Sequence, residues 1–400
     1  MIRAAIRSWL GIESRSGDGF TRGEFYRVSH PGAGNVSPNA VLSNIAVAAR
    51  CVALRSELMA QLPLKLYRRL PNGERERVSD HPLAGVLSDL SNPQQTAFEA
   101  RELFVRALDT RGNAFARIER DAAGQVVALY PLDPTRTAVE RLESGRLRFR
   151  YMGDRGPVLL LEHEVLHIRG SSEDGLLGKS PIEVARGALG LGLTLNNFAR
   201  KLADNDFKSG GYIIQPYEAN ARRKKDFRES LADQEEQDPK RPKVLDPGAK
   251  YIPVTFSNTD AEVLETRKLS NQDVCHVFGI PPAVLGLNDS VSYGSAAEAA
   301  RALVQNALQP LASRMAQAMQ RCLLTPEGRR TYVIEHDLSG LLRGDAATRW
   351  NAYRTAREIG AMSSNEIRRF ENLPAIEGGD DHTPLRTSPT PNDPIASTKT

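Results

Sequence analysis

Cysteine is scarce in this chain. Cys51, Cys275 and Cys322 are the only three among 400 residues, and their spacing is not that of a metal site. An odd, scattered set argues against a disulfide-built scaffold and for a reducing compartment. Aromatic residues make up only 6%, too few to favour a base-stacking platform for single-stranded nucleic acid. Charge of one sign is also missing. Lys and Arg number 53 against 49 Asp and Glu, a net charge of +4. That excludes a histone-like wrapper of DNA, which needs a dense basic surface. No apolar run approaches the ~20 residues of a membrane-spanning helix. Neither a G-x-S-x-G elbow nor a local signature for a nucleophilic cysteine occurs.

What is there suffices for a folded chain. Apolar residues make up 40% of the sequence, and this length accommodates two or three cores or one elongated subunit of several parts. Residues 1–36 read as a flexible arm. Its first turns place Ile2, Ile6, Trp9 and Leu10 beside Arg3 and Arg7, which fits docking on a neighbour or, alternatively, a short membrane-surface helix. Residues 13–36, rich in Gly, Ser and Arg, read as mobile.

Periodicity begins at Ser37, an N-cap ahead of Pro38, with an apolar face from Val41 to Leu58 on one helix that Pro63 ends. Leu64, Leu66 and Val78 fit two strands joined by an Asn72-Gly73 turn. A short helix follows over 81–90, then a longer one from Thr96 with Glu99 completing a capping box. Residues 113–169 alternate in short apolar runs and predict a locally paired antiparallel meander. Ser180, Pro181 and Glu183 open a helix to about Phe207 that contains Gly187, Gly190 and Gly192. Each glycine costs roughly 1 kcal/mol there and fits close approach of another segment or a local bend.

Residues 210–256 form a small charged unit. Strands are predicted at 212–214, 243–245 and 251–256, and a helix over 219–234. Arg222, Arg223, Lys224 and Lys225 start that helix and acids end it, an order opposed by the helix dipole. Partners for those charges, or a merely solvated face, account for it. Further helices are predicted over 259–278, 296–323, 345–359 and 363–371 and a strand over 332–334. Pro310 is expected to kink the long helix by clashing with residue 306. The chain past Leu373 reads as a disordered tail.

Two motifs invite chemistry. His163-Glu164-Val165-Leu166-His167 fits H-E-x-x-H, whose zinc geometry needs a helix. The β-type composition predicts a strand instead, and there the two histidines stand roughly 13 Å apart. Gly178-Lys179-Ser180 resembles the end of a P-loop, but Glu173 occupies the position of its first glycine. No convincing catalytic constellation remains, and no metal or cofactor is implied.

Six stretches stand out together: LPLKLYRR at 62–69, HPLAGVLSDLSNPQQTAFEARELF at 81–104 and RGNAFARIERDAAGQVVALYPLDP at 111–134. They continue with VLHIRGSSEDGLLGKSPIEVA at 165–185, FGIPPAVLG at 278–286 and SYGSAAEAARALVQNALQPL at 292–311. In their order and spacing the chain resembles the portal proteins of tailed phages, of the lambdoid siphophage type. Gly294-Ser295 follow Tyr293 where relatives commonly carry an asparagine.

The resemblance implies an elongated α+β subunit. Residues 37–179 would be a β-rich wing, 180–207 a stem helix, 208–258 a small α/β clip, and 259–285 the second stem helix and its turn. Residues 286–299 would be a tunnel loop with Asn288, Asp289, Ser290, Ser292, Tyr293, Gly294 and Ser295 lining the channel. A long kinked wing helix and strand would occupy 296–343, a helical crown 344–373 and a disordered tail 374–400. Implied partners are further copies in a dodecameric ring, double-stranded DNA in transit, the large terminase at Arg222, Arg223, Lys224 and Lys225, the head–tail adaptor and the major capsid protein. The implied location is the capsid vertex of a virion, and the host cytoplasm during assembly, with no membrane. Two other readings compete: a zinc hydrolase on His163, Glu164 and His167, and a DNA-associated adaptor that forms no ring.

Overall fold

The computed structural model describes residues 24–27, 36–204, 211–214, 225, 229, 250–253, 259–287, 293–338, 346–371 and 373–384. It divides into two compact units, residues 1–336 and 337–400.

The larger unit opens with β1 (Glu24–Arg27), which pairs antiparallel with a strand far along the chain. This corrects the reading of 13–36 as wholly mobile. Ser37 caps α1 (Pro38–Asn44) by accepting the Ala40 N–H at 3.1 Å. The single helix expected here is two, because Ile45 is extended (φ −115°, ψ 94°) before α2 (Ala46–Gln61). Leu62 ends α2 in an extended conformation, as a residue before proline must.

β2 (Leu64–Arg69) and β3 (Arg75–Arg77) form the expected hairpin with Gly73 at φ +85°. There follow α3 (Pro82–Ser88), β4 (Leu90–Asn92), β5 (Gln95–Thr96) and α4 (Ala97–Arg111), whose Thr96–Glu99 capping box is formed in both directions. Arg101 of α4 is buried between elements. Its Nε and Nη2 donate to the Ala60 carbonyl at 3.2 and 2.8 Å, and its Nη1 to the Leu87 carbonyl at 2.7 Å. Those bonds satisfy a charge that is otherwise costly to bury.

Next come β6 (Asn113–Arg120), β7 (Val126–Leu132), β8 (Thr137–Arg141), β9 (Leu147–Gly153), β10 (Gly156–Leu161) and β11 (Val165–Arg169). They make two antiparallel sheets, β11-β6-β7 and β1-β8-β9-β10. The meander is local only within β8-β9-β10 and the β6-β7 hairpin. β11 crosses back to β6, and β1 arrives from the N-terminal side. Phe115, Val139, Phe149, Leu160 and Val165 fill the space between the sheets. Their burial stabilises the pair by roughly 1.5–3 kcal/mol for each large side chain.

α5 (Pro181–Val184) and α6 (Arg186–Asp204) replace one long helix, with Ala185 at the break. β12 (Gly211–Ile214) pairs antiparallel with β13 (Lys250–Pro253), and α7 spans Thr259–Val277. The strand predicted at 243–245 lies outside the described residues. α6 packs along α7. A Cβ on Gly192 of α6 would meet Ser270 Oγ at 3.2 Å and Ile45 Cδ1 at 3.3 Å, so that glycine marks a close approach. Gly187 faces open space. Cys275 of α7 meets Cys51 of α2, and both are buried. The hydrogen bond with Cys275, reinforced by burial, pushes the Cys51 thiol up. Two of the three scattered cysteines are therefore neighbours.

α8 (Tyr293–Leu303), a π turn (Val304–Leu308) and α9 (Gln309–Leu323) form one long rod, followed by α10 (Gly328–Thr331) and β14 (Tyr332–His336). β14 joins β2 and completes the sheet β14-β2-β3. Among the described residues no helix is long and apolar enough to cross a membrane.

His336 sits on β14 at 6% exposure, with no partner for either ring nitrogen. Burial, helped by the charge of Arg101, holds its pKa down at about 4. Its contribution to stability is therefore complete above the unfolded value of about 6.5 and is lost as the pH falls toward 4, by about 3 kcal/mol for this span. His336→Leu removes that titration. Thermal melts of parent and variant at about pH 7.5 and about pH 4.5 should show the gap moving by about that amount in favour of leucine on acidification. A gap that stays constant would contradict the assignment.

The smaller unit contains α11 (Ala346–Glu358) and α12 (Ser364–Phe370). Ser363 and Glu366 form a capping box, and Arg349 pairs with Glu371 at 2.7 Å. The tail expected to be disordered from 374 is instead placed through residue 384. Asn365 donates to the Ile376 carbonyl at 3.0 Å and accepts the Ile376 N–H at 2.8 Å. Residues 385–400 lie outside the described part.

Candidate functional site: the glycine hub and the turn between α7 and α8

The H-E-x-x-H stretch does not form a helix. Glu162–Glu164 make one 3-10 turn, and His167 lies on β11. Glu164 accepts the Leu161 N–H at 2.9 Å, so its carboxylate caps the turn. His167 is buried, with its ring stacked on Phe115 at 4.4 Å and its Nε2 bonded to Asn113 Oδ1 at 3.0 Å. Burial, reinforced by Arg169 and Arg321, holds its pKa well below the usual histidine value. His163 and His167 therefore share no helical face, and the strand expected for the whole stretch covers only its second half, from Val165, with His163 in the turn before it.

Asn113 is a hub that sequence reasoning missed. Its Oδ1 also accepts the Gly178 N–H at 2.9 Å, and its Nδ2 donates to the Gly178 carbonyl at 2.7 Å. Three glycine backbones cross here. Gly170 N–H donates to the Gly112 carbonyl at 2.7 Å, and Gly112 holds φ +74° at the C-terminus of α4. A Cβ on Gly112 would lie 2.5 Å from Gly178 O and 2.6 Å from Ser180 N. The Gly178-Lys179-Ser180 turn is thus filled by protein backbone. Lys179 pairs with Glu173 at 2.6 Å, and Ser180 caps α5 by accepting the Ile182 N–H at 3.1 Å. The only signal for this hub was three separated glycines, which no local pattern links.

Between α7 and α8 the chain turns sharply. Gly279 (φ +68°) ends α7, and the Ile280 N–H returns to the Cys275 carbonyl at 2.9 Å, a left-handed helix stop of the usual glycine kind. Pro282–Leu285 form a 3-10 turn closed by Gly286 at φ +69°. Asn288, Asp289, Ser290 and Ser292 of the expected loop lie outside the described residues. Tyr293, Gly294 and Ser295 do not belong to a loop: they begin α8, three residues before the predicted start at 296. Farther along, the distortion expected at Pro310 takes the form of the π turn. Gln309 N–H reaches the Val304 carbonyl, five residues back, which widens the helix just before the proline ring.

Of the basic cluster, Arg222, Arg223 and Lys224 lie outside the described residues. Lys225 and Glu229 are helical and pair at 3.6 Å, both well exposed. Such an exposed pair contributes little stability.

Comparison with known proteins places the chain. A sequence profile described as phage portal protein matches residues 46–372. The portal protein of Enterobacteria phage HK97 is 30% identical over 387 residues, which cover 94% of this chain and 90% of that protein. Among solved structures, a chain in the neck of an empty GTA particle, computed with C6 symmetry, has a TM-score of 0.63 at 23% identity and covers 90% of this chain and 98% of its own. An HK97-family phage portal protein from Corynebacterium diphtheriae has a TM-score of 0.59 at 16% identity, with 78% and 98% covered. The structural likeness establishes an α+β portal-type fold, and the sequence match, which runs from α2 to the end of α12, establishes that the chain belongs to the phage portal protein family.

Proposed function

We propose that this chain forms a ring-shaped channel at one capsid vertex, through which double-stranded DNA enters during packaging and leaves during ejection. The family match over residues 46–372 carries this reading. Residues 37–179 act as the wing, α5–α6 and α7 as the stem, and 208–258 as the clip. Residues 344–373 act as the crown, and the chain between Gly286 and α8 as the tunnel loop. Arg222, Arg223, Lys224 and Lys225 on the clip meet the large terminase and later the head–tail adaptor, and the wing meets the major capsid protein. The subunit works in the virion and assembles in the host cytoplasm. It is a structural part with no catalytic role.

Side-chain exposure supports the assembly. Val184, Leu191 and Leu269 are 69%, 50% and 59% exposed on the paired helices. They stand on α5, α6 and α7 respectively, and neighbouring subunits in a ring would cover them. The relative's sixfold neck supports a closed ring, and a dodecamer contains sixfold symmetry. Purified full-length protein should give rings of twelve subunits in electron micrographs and a matching mass by light scattering. A strictly monomeric protein at every concentration and salt tested would contradict the ring and return the non-ring adaptor.

A further inference from the structure

The seam between the long rod and β11 is unusually rich in arginine. A cavity of about 850 Å³ is lined by Arg120, Arg146, Arg321 and Arg329. A second, of about 940 Å³, is lined by Arg169, Arg314 and Arg321. The two share His167 and Arg321, so they form one trough running along α9.

Four of the guanidinium groups, those of Arg120, Arg169, Arg314 and Arg321, are held in place by backbone carbonyls. Arg120 Nη2 donates to the Cys322 carbonyl at 3.1 Å, and its Nη1 to the Gly124 carbonyl at 3.0 Å. Arg321 Nη2 donates to the His167 carbonyl at 3.2 Å. Arg314 donates to the carbonyls of Arg169 and Gly170, and Arg169 to that of Gly175. Carbonyls fix the direction of these four groups and, unlike carboxylates, carry no charge to neutralise them; Arg169 is partly offset by Asp174 and Glu162. Glu162 is the one acid lining either cavity among the described residues. The crowding is felt locally: burial, followed by the charge of Arg321, lowers the pKa of Arg169.

We propose that this trough seats an extended acidic segment of a partner protein. Arginine presents a planar fork that matches a carboxylate in two-point contact. Six guanidinium groups strung along one seam, each with N–H donors beyond those its carbonyls take, suit a run of Glu and Asp rather than a single ion. Leu147, Leu161, Leu324 and Pro326 wall the first cavity between the charges, which suits apolar residues interleaved with the acids. Nucleic acid fits less well. Among the described residues Phe149 is the one aromatic ring besides histidine lining either cavity, and it is only 1% exposed, so these residues offer no flat face for base stacking.

The test uses the full-length protein and a fluorescein-labelled short peptide alternating glutamate and leucine. Its control replaces each glutamate with glutamine, and labelled oligothymidylate is the third probe. Fluorescence anisotropy at low salt should show the acidic peptide binding and the glutamine control failing to bind. Arg146→Glu with Arg329→Glu, both at the rim, should weaken the peptide by about tenfold or more, since opposed charges now meet across the contact. Ring mass and thermal melt should stay as in the parent. The neutral pair Arg146→Gln with Arg329→Gln should lie between, and it replaces the charge reversal should that variant not fold. Four results would overturn the proposal: no peptide binding, binding unchanged in both variants, tighter binding of oligothymidylate, or loss of rings in a folded variant. The last would assign the trough to a second copy of this chain.

Discussion

Replacing Gly178 by alanine should abolish folding of the larger unit. The residue needs no left-handed backbone, so the effect is purely one of space. A Cβ there would overlap the Gly112 carbonyl oxygen and come within 2.5 Å of the Gly170 nitrogen and 3.0 Å of the Gly170 Cα. All three are backbone atoms, and two belong to the Gly170–Gly112 hydrogen bond. A side chain could swing away, but these atoms move only if α4, β6 and β11 separate. The Asn113 bonds to Gly178 would be lost with them. The combined cost should exceed the ~4–5 kcal/mol that marks exceptional substitutions, a large part of a domain's stability. Gly187→Ala is the internal control. It lies in α6 with nothing near the new methyl, and should be neutral or stabilising by up to about 1 kcal/mol. Soluble yield and a circular-dichroism melt read both. A Gly178→Ala protein with a parental melt would mean the three backbones do not meet.

Adding lysine at Ser290 and Ser292 should stall DNA passage while leaving assembly intact. Residues 286–297 contain no Lys or Arg, and Asp289 is their one acid. In the proposed channel this segment touches passing phosphates without forming ion pairs, so contacts break easily. Two lysines in every subunit would create a basic collar. Each phosphate engaged strengthens binding and steepens its log–log salt dependence by about 0.9. Rings and empty capsids should form normally. Packaged DNA should shorten sharply and recover in part at higher salt. Full-length genomes packaged at the parental rate would place the segment away from the channel. That result would leave ring formation untouched, so it separates the loop assignment from the portal reading.

Much of the local structure was legible because its signals are local. Thr96 with Glu99, Ser37 with Pro38, and Asn72 with Gly73 each carry their own hydrogen-bond partner or backbone geometry within four residues. What was missed depends on distant partners. Glu24–Arg27 looks like part of a mobile arm until Thr137–Arg141 supplies a strand to pair with. Val165–Arg169 looks like the end of a meander but bonds to Asn113–Arg117. Gly294-Ser295 reads as loop by composition, yet lies in the first turn of α8. Ile45 breaks a helix whose apolar face runs on without interruption. At the site, the glycines at 112, 170 and 178 were visible singly, but nothing in the sequence says that they touch. Arg314 and Arg321 bond to the carbonyls of Arg169 and His167, partners 145 and 154 residues away in sequence that no local pattern announces.

The pairing of β14 with β2 has a consequence for synthesis. Leu64 and Leu66 leave the ribosome early, but their partners His336 and Ile334 follow some two-thirds of the chain later. Until then β2 has β3 on one side and a bare row of N–H and C=O groups on the other. Such an edge templates unwanted pairing, and closing a loop this long is slow. A nascent chain halted before residue 332 therefore carries an unsealed sheet, however well its earlier helices have formed. Completion of the larger unit therefore waits on translation to His336, and a subunit cut short before that point presents an edge open to aggregation.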